Sequence, residues 1–98
     1  MVEHIVLIKF NKMADEDSKT KMRRELVALK GKIPGVLGVN VGPNFTNRSK
    51  GYDEALVVRM ESKEVLESYI DHPAHKLVVQ EYIKPIMEDI LAVDFHVR

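Results

Sequence analysis

The sequence predicts a single α+β domain, residues 1–98, in which helices pack on a four-stranded antiparallel sheet. Two observations support this fold class. Four segments rich in β-branched and aromatic residues alternate with two regions of helical apolar spacing, in the order β-α-β-β-α-β. A short polar loop joins the second and third of these segments, which favours an antiparallel hairpin. This order is the split βαβ arrangement of ferredoxin-like domains.

The first predicted strand is Val2–Phe10, and both of its faces are apolar over the middle, as in a strand buried on both sides. A helix follows, with Asp15 as its predicted N-cap. Its apolar stripe consists of Met22, Leu26, Leu29 and Ile33. The basic residues of this helix are interpreted as a solvated surface and are Lys19, Lys21, Arg23, Arg24 and Lys30.

The second and third strands are predicted over Val36–Pro43 and Asp53–Glu61. Alternation in the first of these puts Leu37, Val39 and Val41 on its apolar face. The intervening residues are rich in Asn, Ser, Gly and Lys and form the hairpin loop.

The second helical region begins at Ser62 and is interrupted by Pro73, which suits the first turn of a new helix. Its predicted buried side before the proline consists of Val65, Leu66, Tyr69 and Ile70. After Pro73 the helix is expected to restart through Leu77, Val78, Tyr82 and Ile83. We expect Pro85 to end or kink it, one further turn over Ile86–Asp89, and a fourth strand over Leu91–Val97.

Composition excludes several function classes. Fifteen basic residues balance fifteen acidic ones, so no basic field is available for nucleic acid. No apolar run approaches the roughly 20 residues that span a bilayer, so we expect no membrane partner. Cysteine is absent, which removes disulfides, thiolate zinc sites and cysteine nucleophiles. The expected location is cytoplasmic.

Two helices cover only one face of a four-stranded sheet, yet several strands are apolar on the other face as well. Such a face would leave an unusually large exposed apolar patch on a monomer. The pattern therefore predicts a homodimer in which two sheets pack their open faces together.

The segment from Tyr69 to His75 contains a phenol, two imidazoles and Pro73 within seven residues. The proline puts His72 near a helix N-cap and His75 in the first turn, where the helix dipole favours a neutral imidazole. His4, on the helix-facing side of the first strand, is expected to reach the same cavity. This set is chemically sufficient for proton abstraction beside a carbonyl. It is equally consistent with a hydrogen-bonded structural corner.

Five segments together resemble the stress-responsive dimeric α/β-barrel (Dabb) family. They are His4–Phe10, Ile33–Val36, Gly51–Asp53, Tyr69–His75 and Val93–Phe95. The resemblance implies a ferredoxin-like protomer and a homodimer whose sheets form a barrel. The family includes a plant polyketide cyclase that forms olivetolic acid by aldol condensation. The resemblance implies that Tyr69 and His75 correspond to its catalytic pair and His4 to a histidine in its pocket, and we predict all three as catalytic residues here. This chain has Met22, Arg23 and Leu26 where the cyclase has aromatic residues, so its substrate preference does not transfer.

We predict either a cofactor-free cyclase or lyase acting on an apolar carbonyl substrate, or a non-catalytic stress-responsive or ligand-binding homodimer. A haem-degrading or quinol-oxidising relative is a third possibility. The predicted substrate pocket is lined by Val6, Ile8, Met22, Leu26, Leu56 and Val58. No zinc signature is present, so no catalytic metal is expected. The family resemblance allows an incidental magnesium ion on the backbone carbonyls of Ile33, Val36 and Val39.

Overall fold

In the computed structural model, which describes residues 1–98, helices cover one face of a single antiparallel sheet. The strands are β1 (Val2–Phe10), β2 (Val36–Pro43), β3 (Glu54–Met60) and β4 (Met87–His96). The helices are α1 (Glu16–Ala28), α2 (Lys63–Asp71) and α3 (Pro73–Val78). The strand order across the sheet is β2-β3-β1-β4, so the predicted ferredoxin-like fold is confirmed.

Both predicted helix starts are confirmed by side-chain caps. The Ser18 backbone N–H donates to Asp15 Oδ1 at 2.8 Å, and Asp15 N–H donates to Ser18 Oγ at 3.0 Å. Hydrogen bonding from Ser18 to the Asp15 carboxyl lowers the pKa of that carboxyl below its usual value. At α2, the Val65 N–H donates to Ser62 Oγ at 3.2 Å. Local chemistry therefore sets where both helices begin.

The end of the second helical region differs from the prediction. After α3 the chain makes a π-helical turn over Val79–Ile83 and a tight 3₁₀ turn over Lys84–Ile86. Pro85 lacks a backbone N–H and cannot continue a helix. Strand β4 then begins at Met87, where the chain pairs with the end of β1. The predicted helical turn over Ile86–Asp89 is therefore wrong.

The core lies between the sheet and the helices. The predicted stripe of the first helical segment is confirmed, because each of its members is at most 1% exposed; they are Met22, Leu26, Leu29 and Ile33. Gly35, with φ +88°, makes the turn into β2, and Val65 on α2 packs against it. This contact holds the first helical segment and α2 on the same sheet face.

Three apolar residues of the predicted strands and helices are exposed, and one of them, Ile70, was predicted to be buried. Leu37 is 42% exposed because the β2–β3 register shifts between Val36 and Gly38, which breaks the alternation. Ile70 and Leu77 are 45% and 56% exposed, since two short helices that meet at a corner each bury only a narrow stripe.

One basic residue of α1 also departs from the prediction. Arg23 does not lie on a solvated surface: its Nε and Nη2 donate to the carboxylate of Glu54 at 2.6 and 2.8 Å. The Glu54 side chain is completely buried, so this is an internal ion pair between α1 and β3. These hydrogen bonds raise the pKa of Arg23 above its usual value.

The other sheet face has no helix over it and is largely apolar. Leu91, Val93 and Phe95 on β4 are 46%, 52% and 46% exposed there. Glu3 and Arg59, opposite each other on β1 and β3, form an ion pair of 2.6 Å at its edge. We call this surface the open face. None of the helices combines the length and the apolar composition needed to cross a bilayer.

Candidate functional site

The three predicted catalytic side chains lie in contact beneath the corner between α2 and α3. The ring centroid of Tyr69 is 4.4 Å from that of His75 and 5.7 Å from that of His4, the latter in an edge-on arrangement. Tyr69 is 0% exposed and His4 is 6% exposed. The fold therefore places in contact the three residues that the sequence predicted to share a site. Their catalytic role stays a prediction.

The proline corner positions His75. Pro73 occupies the first position of α3, and His72 is the N-cap, its Nδ1 accepting from the Ala74 N–H at 3.0 Å. His72 thus has the structural role predicted for it. His75 Nδ1 lies 3.2 Å from the Ile70 carbonyl oxygen. Because a carbonyl can only accept, Nδ1 holds the proton and Nε2 of the neutral ring has the free lone pair.

Burial keeps His75 neutral. Removal of water lowers the pKa of the imidazole below its usual value, and nearby His4 and His72 lower it further. The hydrogen bond to the Ile70 carbonyl raises the pKa of His75 and so partly offsets this effect. The sequence argument attributed neutrality to the helix dipole, whereas burial is the main cause. At neutral pH the ring is therefore in the form that can accept a proton.

The Tyr69 hydroxyl is buried and makes no hydrogen bond to any protein group. Most buried hydroxyls in folded proteins have a partner, so this one is an exception that calls for an explanation. Burial raises the pKa of Tyr69 far above its usual value of 10. The side chain is therefore a neutral phenol at physiological pH, able to donate a hydrogen bond but not to act as a base.

Asp94 completes the cluster, and the sequence reasoning missed it. Its carboxylate accepts a hydrogen bond from His4 Nδ1, across the β1–β4 ladder in which the two residues are direct partners. This bond fixes the tautomer of His4 and leaves Nε2 free. The ferredoxin-like strand order, which puts the first and last strands side by side, was the signal that could have found the pair.

The predicted pocket walls form the core. The six side chains are between 0% and 5% exposed, and they are Val6, Ile8, Met22, Leu26, Leu56 and Val58. None of them lines any of the four principal cavities. His75 borders a cavity of about 340 Å³ beside α3, but Tyr69 does not. The enzyme hypothesis requires one cavity that joins Tyr69 and His75. None of the four principal cavities of this conformation joins them, which counts against that hypothesis.

No group of three or more His, Asp or Glu side chains is placed to hold a metal ion. The carbonyl site implied by the family resemblance involves Ile33 and β2. The Ile33 carbonyl accepts from the Val36 N–H at 3.4 Å, and Val36 and Val39 lie on β2, which is an edge strand. An edge strand leaves some carbonyls without ladder partners, and carbonyl oxygen suits magnesium. Magnesium binding at these three residues stays a prediction.

The sequence model of the family described as Stress responsive A/B Barrel Domain matches residues 2–97 of this chain. The chain belongs to the Dabb family. A stress-response A/B barrel domain-containing protein of Arabidopsis thaliana is 40% identical over 96 residues, or 97% of this chain. This chain spans only 36% of the length of that Arabidopsis relative. The olivetolic acid cyclase of Cannabis sativa is 31% identical and is matched over 99% of this chain and 97% of the cyclase.

Solved structures share the fold of this chain. The crystal structure of the Arabidopsis thaliana protein At3g17210 has a TM-score of 0.92 at 22% identity and covers 100% of this chain and 96% of its own. A dimeric ferredoxin-like protein of unknown function from Thermobifida fusca has a TM-score of 0.85 at 26% identity, with coverages of 98% and 90%. A hydroxynitrile lyase from Passiflora edulis has a TM-score of 0.89 at 16% identity, with coverages of 99% and 93%.

Proposed function

We propose that this Dabb protein is a homodimeric, cofactor-free enzyme of the cyclase or lyase type that transfers protons on an apolar, carbonyl-bearing substrate. The observation that carries the proposal is the Tyr69 hydroxyl, which is buried beside His75 without a protein partner. Such a hydroxyl lowers stability, and a donor held ready for a substrate oxygen explains why it is kept. Two relatives, a cyclase and a more distant lyase, have names that fit this chemistry.

The groups present are sufficient for an aldol cyclisation. His75 Nε2 removes a proton from the carbon next to a carbonyl, and Tyr69 donates a hydrogen bond to the enolate oxygen that forms. The enolate carbon then attacks a second carbonyl of the same molecule, and the resulting alkoxide takes the proton back from His75. His4, held by Asp94, accepts a hydrogen bond from a substrate hydroxyl through its free Nε2.

Substrate entry requires a change of conformation, because Tyr69 is closed off. The cavity beside His75 is bordered by Val79 and Gln80, which belong to the π-helical turn. Turns of this kind interrupt regular helical bonding and are frequent at functional sites. In our proposal a shift of this turn extends the cavity from His75 to Tyr69.

The test uses two probes, cleavage of mandelonitrile to benzaldehyde and cyclisation of a linear poly-β-ketone thioester. Turnover of either probe should fall about 100-fold or more in Tyr69→Phe and in His75→Gln. Tyr82→Phe and His96→Gln change the same residue types outside the cluster and should leave turnover unchanged. Equal activity in the site variants and their controls would refute the proposed roles.

The second candidate is a non-catalytic stress-responsive or ligand-binding homodimer. The observation that favours it is the complete burial of Tyr69 among core residues in the closed conformation. In that case His75→Ala lowers the melting temperature and neither probe is turned over. Ring resonances of His75, followed by NMR during addition of benzaldehyde, distinguish binding from simple structural support.

The open face supports the homodimer. It presents a band of apolar side chains, and the Thermobifida fusca relative is described as dimeric. Val93→Asp, at the middle of this face, should produce a monomer in sedimentation velocity experiments. Leu77→Asp places the same charge on an exposed position of α3 and should leave the dimer intact. A Val93→Asp protein that sediments as a dimer would contradict this interface.

A further inference from the structure

The largest cavity of the protein, about 400 Å³, takes no part in the proposed reaction. It lies between α1 and the start of β3, and most of its walls are polar or charged. Glu54 in its wall pairs with Ile8, whereas His4 pairs with Val58, four positions along the same strand. At about 3.3 Å per residue, the two sites are about 13 Å apart on one sheet face.

One wall of this cavity is held in place by an ion pair. It carries a cationic donor, Nη1 of Arg23, that makes no hydrogen bond. Glu54, with a fully buried side chain, holds Arg23 through Nε and Nη2. Both carboxylate oxygens are thereby used, while Nη1 of Arg23 makes no hydrogen bond. A buried ion pair loses much of its attraction to desolvation, so it is weak support for stability but orients the guanidinium firmly.

A second cation stands one helical turn away. Lys19 also lines the cavity, and its Nζ lies 3.7 Å from Glu16, beyond hydrogen-bonding distance. The same ammonium is 5.1 Å from the centre of the Phe10 ring. Glu16 also lines the cavity, so Lys19 forms an ion pair there without a hydrogen bond. Because residues four apart share a helix face, Lys19 and Arg23 present two cationic donors to one region.

The opposite wall supplies a free acceptor. Asp53 Oδ2 accepts from the Phe10 backbone N–H at 2.8 Å, which fixes the carboxylate, and Oδ1 makes no hydrogen bond. Asp53 and the start of β3 thus face the cationic side of α1 across the cavity. The α1 side of the cavity therefore carries two cations, Lys19 and Arg23, and one carboxylate, Glu16, while the β3 side carries Asp53.

We propose that this cavity binds a small zwitterion with one carboxylate and one ammonium group, as in an amino acid. The carboxylate is bound by Arg23 and Lys19, and the ammonium by Asp53. A simple anion would meet the acidic wall, and a simple cation would meet the two basic residues. A dipolar molecule is complementary to both, and the volume lies within the range of about 300–1,000 Å³ typical of small-molecule sites.

The proposal is tested by ¹H–¹⁵N NMR titration with glycine, β-alanine and γ-aminobutyrate, which vary the separation between the two charges. Acetate and methylammonium serve as single-charge probes. We expect saturable shifts at the amides of Asn11, Lys19 and Asp53 with at least one zwitterion, and tighter binding of it than of either single-charge probe. Lys19→Met should weaken this binding about ten-fold, the loss of one charge-assisted contact.

Matched controls keep the test specific. Lys21→Met and Asp17→Asn change the same residue types on α1 at positions that do not line the cavity, and they should leave the affinity unchanged. Asp53→Asn keeps an acceptor for Phe10 and should weaken binding as Lys19→Met does. Absence of saturable shifts up to about 10 mM, equal affinity for acetate, or equal weakening by Lys21→Met would each overturn the proposal.

Discussion

Removal of the Tyr69 hydroxyl should make the protein more stable. The side chain is 0% exposed, and its hydroxyl has no protein partner. Tyr69→Phe keeps the ring and its packing against His4 and His75 and deletes only the unpaired polar group. Leaving a buried hydroxyl unsatisfied costs about 1–3 kcal/mol, so the free energy of unfolding should rise by about that amount. The proposed enzyme would lose activity through the same substitution.

Urea denaturation and thermal unfolding at one fixed protein concentration measure this effect, since a dimer's melting temperature depends on concentration. In a chain of 98 residues, 1 kcal/mol corresponds to a shift of about 4–8 °C. Tyr82→Phe, at a partly exposed tyrosine, should change stability by less than about 0.5 kcal/mol. A Tyr69→Phe protein less stable than the wild type would show that the hydroxyl is satisfied, and the argument for a stored donor would fail.

Three further predictions concern charge and backbone. Because burial lowers the pKa of His75 in the folded state below its usual 6.5, the unfolded chain binds more protons on acidification. Stability should therefore fall as the pH drops below 6.5, and His75→Gln should flatten that dependence in urea titrations; an unchanged slope would exclude His75 as its source. Arg23→Met should lower stability by about 3 kcal/mol by leaving Glu54 buried without its partner, whereas Arg23→Met/Glu54→Leu should regain most of it. Equal losses in the single and double variants would contradict this account. Gly35→Ala should cost more than about 1 kcal/mol, since φ is +88° and the new Cβ would lie 2.5 Å from a Val65 methyl group; a neutral effect on the melting temperature would mean that Val65 moves freely.

The sheet and the helix starts were predictable from the sequence because local chemistry determines them. Asp15 and Ser62 cap helices through side chains only three residues from the N–H groups they bind. The apolar period of the first helical segment likewise identified Met22 and Leu26 as core. Such features need no knowledge of distant parts of the chain.

The errors arose where distant residues decide the outcome. In the sequence, Arg23 is one of several basic residues on α1. Only its ion pair with Glu54 on β3 makes it internal. Leu37 is exposed because a bulge against β3 shifts the register. The start of β4 at Met87 depends on pairing with β1, which outweighs a further helical turn.

The residues of the candidate site were predictable from the sequence, but the packing that closes off Tyr69 was not. Tyr69 and His75 are six residues apart, and Pro73 between them restricts their geometry. The closed packing over Tyr69 depends on the fit of core side chains from several elements, which periodicity does not describe.

The pairing of His4 with Asp94 ties the candidate site to the completion of the fold. The two residues are 90 positions apart and meet only when the first and last strands join in one ladder. Closing so long a loop is slow relative to the local contact between Tyr69 and His75. A nascent chain that ends before β4 lacks the group that fixes His4, so only a molecule with its sheet completed has the whole cluster. The proposed chemistry would thereby be withheld from partly folded chains.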